Sequence, residues 1–231
     1  MELIKVQNVC KDFDGIRVLN DVCFNLQSGK IVGLLGKNGS GKTTIIKLIN
    51  DLLTPTSGSI TVKGNSVGIN SKRKISYLPE KTYLNKQMRV IDAVNKFADF
   101  YEDFSKSKAF KMLYDLKIDA NQKLSKMSKG MQEKVQLTLV MSRKSEIYIL
   151  DEPLGGVDPA TRDYILDMIL ANLNKEACLL ISTHLIQDIE RILDEVIFID
   201  NGSVVLQDSA DNLREKENAS IDEIFRRMFK C

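Results

Sequence analysis

"KIVGLLGKNGSGKTT", residues 30 to 44, is an unbroken apolar run that ends in glycines and then opens a helical pattern. Such a run, closed by Gly36, reads as a strand buried on both faces. From Gly36 to Thr43 it matches G-x-x-x-x-G-K-[ST], the phosphate-loop pattern. Gly36, Gly39 and Gly41 let successive backbone N–H groups turn inward, and the helix N-terminus behind them adds partial positive charge. Lys37, Asn38, Ser40 and Thr44 belong to the same phosphate-binding curl. Lys42 is expected at the β- and γ-phosphates, and the Thr43 hydroxyl at Mg²⁺. A Gly-rich turn between any strand and helix is the plainer alternative. The strand before it and the helix after it, with Ile45, Ile46, Leu48, Ile49, Leu52 and Leu53 on its apolar side, favour the phosphate.

Working outward, "LIKVQNV" and "NDVCFNLQ" alternate as half-buried strands, and "SITVKG" and "KISYLP" follow as strand candidates. From Lys81 to about Ser142 the rhythm changes. Val90, Ile91, Val94, Phe97, Ala98 and Tyr101 recur at helical spacing, and "SKSKAFKMLYDL" is a second helical stretch. Strand and helix then alternate again: "EIYIL", "PATRDYILDMILANL", "ACLLIS", "HLIQDIERIL", "EVIFID". An Asn-Gly turn at "DNGS" predicts a hairpin. "SIDEIFRRMF" opens with Ser220 and Glu223 at capping-box spacing. This order predicts an α/β fold with a mostly parallel sheet and helices on both faces. The expected division is a core of 1–80 and 143–218, a helical insert of 81–142, and a C-terminal helix of 219–231.

"IYILDEP" delivers Asp151 and Glu152 to the carboxyl edge of that sheet, where open parallel sheets bind ligands. Asp151 is placed to hold Mg²⁺, and Glu152 to polarise an attacking water as general base. Without a phosphate loop, Asp-Glu-Pro is simply a strand end and a turn. "LLISTHL" brings His184, the single histidine of the chain, to the same edge. A lone histidine there is often structural, but its neighbours give it a polar contact to the γ-phosphate or the attacking water.

The composition, 43% apolar and 28% charged, is that of an ordinary globular protein. With 33 basic and 31 acidic residues, the net charge of +2 makes no electrostatic case for nucleic acid. No apolar stretch approaches the roughly 20 residues of a membrane span. The four cysteines, Cys10, Cys23, Cys178 and Cys231, lack metal-ligand spacing and read as reduced thiols of a cytosolic chain.

Taken together, these motifs resemble the ATP-binding subunit of an ATP-binding-cassette (ABC) transporter. The order "GKNGSGKT", "YLPE", a helical region, "MSKGM", "ILDEP", "GGVD" and "STH" is similar to the family's phosphate loop, glutamine loop, helical domain, signature, Asp-Glu pair, D-loop and switch histidine. The resemblance implies a RecA-like phosphate-loop ATPase core with an N-terminal antiparallel β subdomain and an inserted α-helical subdomain. It implies ATP and Mg²⁺ as cofactors, and Lys42, Glu152 and His184 as catalytic groups. It places Phe13 on the adenine ring, although a core phenylalanine is equally in keeping with that position. Ser128, Lys129 and Gly130 stand in the signature, and Asp158 in the D-loop, so these four are expected against the nucleotide of a second subunit. Asp158 followed by Pro159 is also a good helix start.

Two positions depart from the family. The signature is usually L-S-G-G-Q, whereas Met127, Lys129 and Met131 stand at its first, third and fifth places. Ser128 and Gly130, the residues suited to an anion, are kept; a degenerate element that no longer binds is the alternative. Glu80 stands where a glutamine is common, and a carboxylate there is a candidate for the Mg²⁺ shell.

The resemblance implies an ATPase that closes as a dimer, identical or mixed, and drives separate transmembrane permease subunits from the cytoplasmic face of the membrane. The segment with Tyr83, Leu84 and Met88 resembles the docking groove. The "YLPE" and "SKGM" variants point to exporters of drugs, peptides or lipids. The runner-up is a soluble cassette ATPase acting on ribosome or DNA. A phosphate-loop kinase or GTPase leaves Ser128, Asp158 and His184 unexplained, and no N-K-x-D guanine motif is present.

Overall fold

The apolar run after Lys30 forms a strand in the interior of a six-stranded sheet. A computed structural model describes residues 1–155 and 157–229. Its strands are β1 (Glu2–Phe13), β2 (Ile16–Gln27), β3 (Ile31–Leu35), β4 (Ser57–Val62), β5 (Asn65–Ser66), β6 (Ile75–Leu78), β7 (Ile147–Asp151), β8 (Cys178–Thr183), β9 (Glu195–Asp200) and β10 (Ser203–Ser209). Its helices are α1 (Lys42–Ile49), α2 (Ile69–Lys74), α3 (Val90–Phe100), α4 (Lys106–Asp115) and α5 (Lys129–Met141). After β7 come α6 (Pro159–Asn172), α7 (Ile186–Ile189), α8 (Ala210–Glu217) and α9 (Ile221–Phe229).

The large sheet runs β10-β9-β3-β8-β7-β6 and is parallel except for the β9–β10 hairpin. A second sheet, β2-β1-β4-β5, is antiparallel. Both were expected. Because strand side chains alternate, Leu35, Leu150, Ile181 and Phe198 face one core with α5 to α9. Leu34, Ile149, Leu180 and Ile197 face the other. That second face is closed by a single helix, α1, together with the antiparallel sheet, whose Ile4, Val9, Leu19 and Ile60 also need burial.

The helical pattern predicted from Lys42 to Leu53 stops at Ile49. Asn50 turns its amide back onto the Ile46 carbonyl at 2.9 Å, Asp51 adopts φ 53°, and Leu52 is left exposed. The helix predicted after His184 is only α7, followed by a 3₁₀ turn at Glu190–Ile192. The short α2, and α8, carried no expectation.

A third core lies within 90–139, built from Val90, Val94, Leu113, Leu124, Met127, Val135 and Leu139. Arg143 joins it to β6. Its guanidinium donates to the Ile75 and Arg73 carbonyls at 2.6 Å, pairs with Asp103 at 3.0 Å, and lies 3.9 Å from the Tyr101 ring centre.

The Asn-Gly hairpin forms as predicted, with φ 45° at Asn201 and 77° at Gly202. Gly202 N donates to the Ser40 carbonyl at 3.0 Å and its own carbonyl accepts from Asn20 N at 2.8 Å, so the turn props the phosphate loop against the antiparallel sheet. A Cβ on Gly202 would collide with the Val18 carbonyl. Cys10, Cys23 and Cys178 are free thiols; Cys231 lies outside the described residues.

Candidate functional site

The loop between β3 and α1 carries the phosphate-loop residues. Gly41 holds φ 107°, outside the reach of ordinary side chains, and this lets α1 begin at once on Lys42. Asn38 and Gly39 form the exposed tip, whereas Gly36 and Ser40 are buried behind it. Thr43 and Thr44 face a cavity of about 1240 Å³, whose wall also includes Glu80, Lys129, Glu152 and His184.

Lys42 is 6% exposed. Its ammonium donates to the carbonyls of Gly36 at 2.8 Å and Lys37 at 3.2 Å, and it lies 3.6 Å from a Glu152 oxygen. Burial holds its pKa below the usual lysine value, against the opposing pull of Glu152, Asp151 and Glu80. Lys37 points away from this cluster, and its ammonium reaches the Phe229 carbonyl at 2.8 Å.

Asp151, at the end of β7, is 1% exposed. Oδ1 accepts from the Ser182 hydroxyl at 2.5 Å, while buried Oδ2 has no hydrogen-bond partner. Burial raises its pKa; hydrogen bonds from Ser182 and Thr43 oppose that, and the charges of Glu152 and Glu80 add to it. Thr43 and Asp151 therefore meet, as the sequence predicts, around one unsatisfied carboxylate oxygen.

Glu152 holds a left-handed backbone, φ 51°, a conformation that costs a residue of this kind about 1–3 kcal/mol. Its N–H donates to the Ser182 carbonyl at 3.0 Å and hydroxyl at 3.2 Å. Its carboxylate accepts from the Thr183 hydroxyl at 3.1 Å, and His184 Nδ1 lies 3.1 Å from both carboxylate oxygens. Glu152 and His184 are thus in direct contact, one residue beyond Asp151.

Across the cavity, α5 starts at Ser128, whose hydroxyl oxygen accepts from Met131 N at 3.3 Å. Lys129 is largely exposed and 3.6 Å from Glu133. A Cβ on Gly130 would meet nothing within 4 Å. Met127 is a core residue of the helical part. Asp158 caps α6, accepting from Thr161 N at 3.1 Å and its hydroxyl at 2.7 Å, and these bonds lower its pKa. Gly156 of "GGVD" lies outside the described residues. Phe13 is partly exposed at the end of β1, with the Lys11 ammonium 4.9 Å from its ring centre. Val18, not Phe13, lines the cavity.

The phosphate loop, Glu80, the Ser128 segment and the Asp151–Glu152 pair lie within a longer family match, whereas Phe13, Asp158 and His184 lie outside it. A protein-family model described as ABC transporter matches residues 19–155, more than half of the 231-residue chain. The chain belongs to the ABC transporter family. An uncharacterized ABC transporter ATP-binding protein of Methanocaldococcus jannaschii is 34% identical over 209 residues, 87% of this chain and 76% of that one. The SkfA peptide export ATP-binding protein SkfE of Bacillus subtilis is 30% identical over 214 residues, 89% of this chain and 88% of its own. A solved ATP-binding subunit of an ABC transporter superposes with a TM-score of 0.87 at 28% identity, covering 98% of this chain and 99% of its own. As a member of the family, this ABC ATPase binds ATP and hydrolyses it to power transport. Among the described residues no helix is long and apolar enough to cross a membrane.

Sequence reading missed two glutamines of the ABC ATPase. Gln132 donates to the Leu124 and Met127 carbonyls at 3.0 and 3.1 Å, fixing the turn that leads into Ser128. Gln136, buried in α5, donates to the Pro79 carbonyl at 3.3 Å and so ties the helical part to the residue before Glu80. Their sequence signal was a pair of amides four apart in α5.

Proposed function

We propose that two such subunits, identical or paired with a related one, sandwich two Mg²⁺·ATP at the cytoplasmic face of a membrane. They drive an export permease that carries drugs, peptides or lipids. The observation that carries the two-chain reading is the bare start of α5. Glycine inside a helix costs about 1 kcal/mol relative to alanine, yet none of the described residues lies within 4 Å of a Cβ built on Gly130. Ser128 uses its oxygen as a cap acceptor and keeps its O–H proton to donate. Lys129 adds a cation. Together they suit the γ-phosphate of an ATP held by another chain, with Asp158 at the same seam.

Within one chain, the phosphate-loop backbone and Lys42 hold the phosphates. Thr43 and the unpaired Asp151 oxygen suit a hard cation such as Mg²⁺. Bound there, that ion neutralises charge developing on the phosphates. Glu80 joins its outer shell. Glu152 takes a proton from the attacking water, and His184 keeps the carboxylate aimed. Phe13 stacks on adenine beside Val18. Residues 1–80 and 143–218 serve as the ATPase core, 81–142 as the helical subdomain, and 219–231 as a C-terminal helix.

A second cavity, of about 600 Å³, supports the permease reading. Tyr83, Leu84, Met88 and Phe97 line it, with Lys47, Lys72, Lys96 and Arg143, and no Asp or Glu is among the lining residues described. A permease segment with apolar and acidic side chains fits it. The name of the SkfE relative supports export.

The test is the mass in solution of Glu152→Gln with and without Mg²⁺·ATP. An ATP-dependent dimer, lost on altering Ser128, is expected. Purification from solubilised membranes should then bring down an integral membrane partner; ribosomes or DNA in its place would favour the soluble alternative. In vesicles with the ATPase outside, an exporter moves cargo into the lumen on addition of ATP, and an importer moves it out.

A further inference from the structure

Lys37 is the phosphate-loop residue whose side chain leaves the site. Its ammonium meets the Phe229 carbonyl at 2.8 Å, 192 residues away in the chain, at the C-terminal end of α9. The last carbonyls of a helix lack partners within it and carry partial negative charge, so a cation there is favoured. The backbone of Lys37 stays in the site: its carbonyl accepts from the Lys42 ammonium and from Ser40 N, each at 3.2 Å.

The other end of α9 is tied to the segment after His184. Asp222, in its first turn, accepts from Gln187 Nε2 at 2.8 Å, and Asp222 N donates to Glu190 at 3.1 Å. Gln187 belongs to α7, the helix directly after His184. The same segment connects to the base, since Leu185 N donates to the Thr183 hydroxyl at 3.0 Å and that hydroxyl donates to Glu152 at 3.1 Å. Docking of α9 itself does not depend on these polar ties. Ile221, Ile224 and Phe225 are in the core, and the rings of Phe225 and Phe229 sit 5.5 and 6.1 Å from Phe198 of β9.

We propose that α9 is a strap that keeps the phosphate loop and the His184 segment in register, with Lys37 and Gln187 as its positioning residues. The proposal rests on the ATPase reading above. A strap with its two ends on different parts of the site predicts that they fail differently. Lys37→Met should weaken equilibrium Mg²⁺·ATP binding and raise KM about three- to tenfold, with little change in kcat. Lys37→Arg, which keeps a donor of similar reach, should restore both. Gln187→Leu should lower kcat about three- to tenfold and leave KM nearly unchanged. All three should melt close to the wild-type temperature.

Lys37→Met added to Phe229→Ala, which loosens the end of α9, should cost less than the sum of the two changes. Strict additivity would mean that Lys37 acts on the nucleotide directly and would overturn the strap. Equal impairment of Lys37→Arg and Lys37→Met, or a Gln187→Leu that raises KM alone, would overturn it too. A wild-type protein that binds no ATP breaks the ATPase reading. A wild-type protein that binds ATP no better than Lys37→Met breaks only the strap.

Discussion

Two parts of the molecule carry anion-binding features, and the chain completes one of them far more than the other. Around the phosphate loop the charged groups already hold one another: Lys42 has two carbonyls and Glu152, and Glu152 has Thr183 and His184. At the start of α5, Ser128 makes one capping bond, Lys129 one loose ion pair, and Gly130 faces open space. The first region is built on the buried strands β3, β7 and β8, so the core imposes its geometry. The second is a helix end on a smaller separate core, with its polar groups left largely open. On the proposed two-chain reading, one half-site is finished by folding and the other by assembly.

The sharpest way to probe that contrast is Glu152→Gln, which alters one atom in the finished half. Turnover, read as phosphate release, should fall by about 10²–10⁴-fold while ATP binding persists; near-normal turnover would show that Glu152 is not the base. Lys42→Ala is the next largest. It removes the one buried cation that faces the cavity among the described residues, and ATP affinity by equilibrium binding should drop at least about tenfold. Ser128→Asp addresses the unfinished half. Aspartate caps a helix as well as serine does, so folding and ATP binding should be kept while ATP-driven dimerisation is lost. If dimerisation survives, the start of α5 is not the second half-site.

The smallest effect concerns stability. Asp151 is buried with one oxygen unpaired, so Asp151→Asn should raise the melting temperature of the nucleotide-free protein by about 2–4 °C while abolishing Mg²⁺-dependent turnover. Because burial raises the Asp151 pKa, the folded state binds that proton more tightly than the unfolded chain does. Its contribution therefore grows as pH falls through the raised pKa towards the ordinary carboxylate range. The asparagine variant should lack that contribution, visible as a flatter dependence of melting temperature on pH.

Much of this was legible in the sequence because the deciding signals are local. The phosphate loop, the Asn-Gly hairpin and the Ser220–Glu223 capping box are each fixed by a few neighbouring residues, and all three form. What escaped depends on contacts between distant parts. The end of α1 at Ile49 is set by Asn50 bonding backwards, where periodicity alone runs on to Leu53. The alternation of strands and helices put helices on both faces, and only the family resemblance implied the antiparallel sheet that, with α1, covers one of them. The link from Lys37 to Phe229, like that from Gln136 to Pro79, spans too much chain for any spacing rule to register.

The turn beneath the phosphate loop bears on how this protein ages. An asparagine followed by glycine is the pair most prone to cyclise, the side chain being attacked by the next backbone nitrogen, with ammonia lost and a lengthened main chain left behind. Here that nitrogen is Gly202 N, and its hydrogen is engaged with the Ser40 carbonyl. A support for the loop between β3 and α1 is thereby also a chemical safeguard. Once Asn201 has reacted, the extra backbone atom arises directly under the loop, so damage from long storage should register as lost ATP affinity before it registers as lost fold.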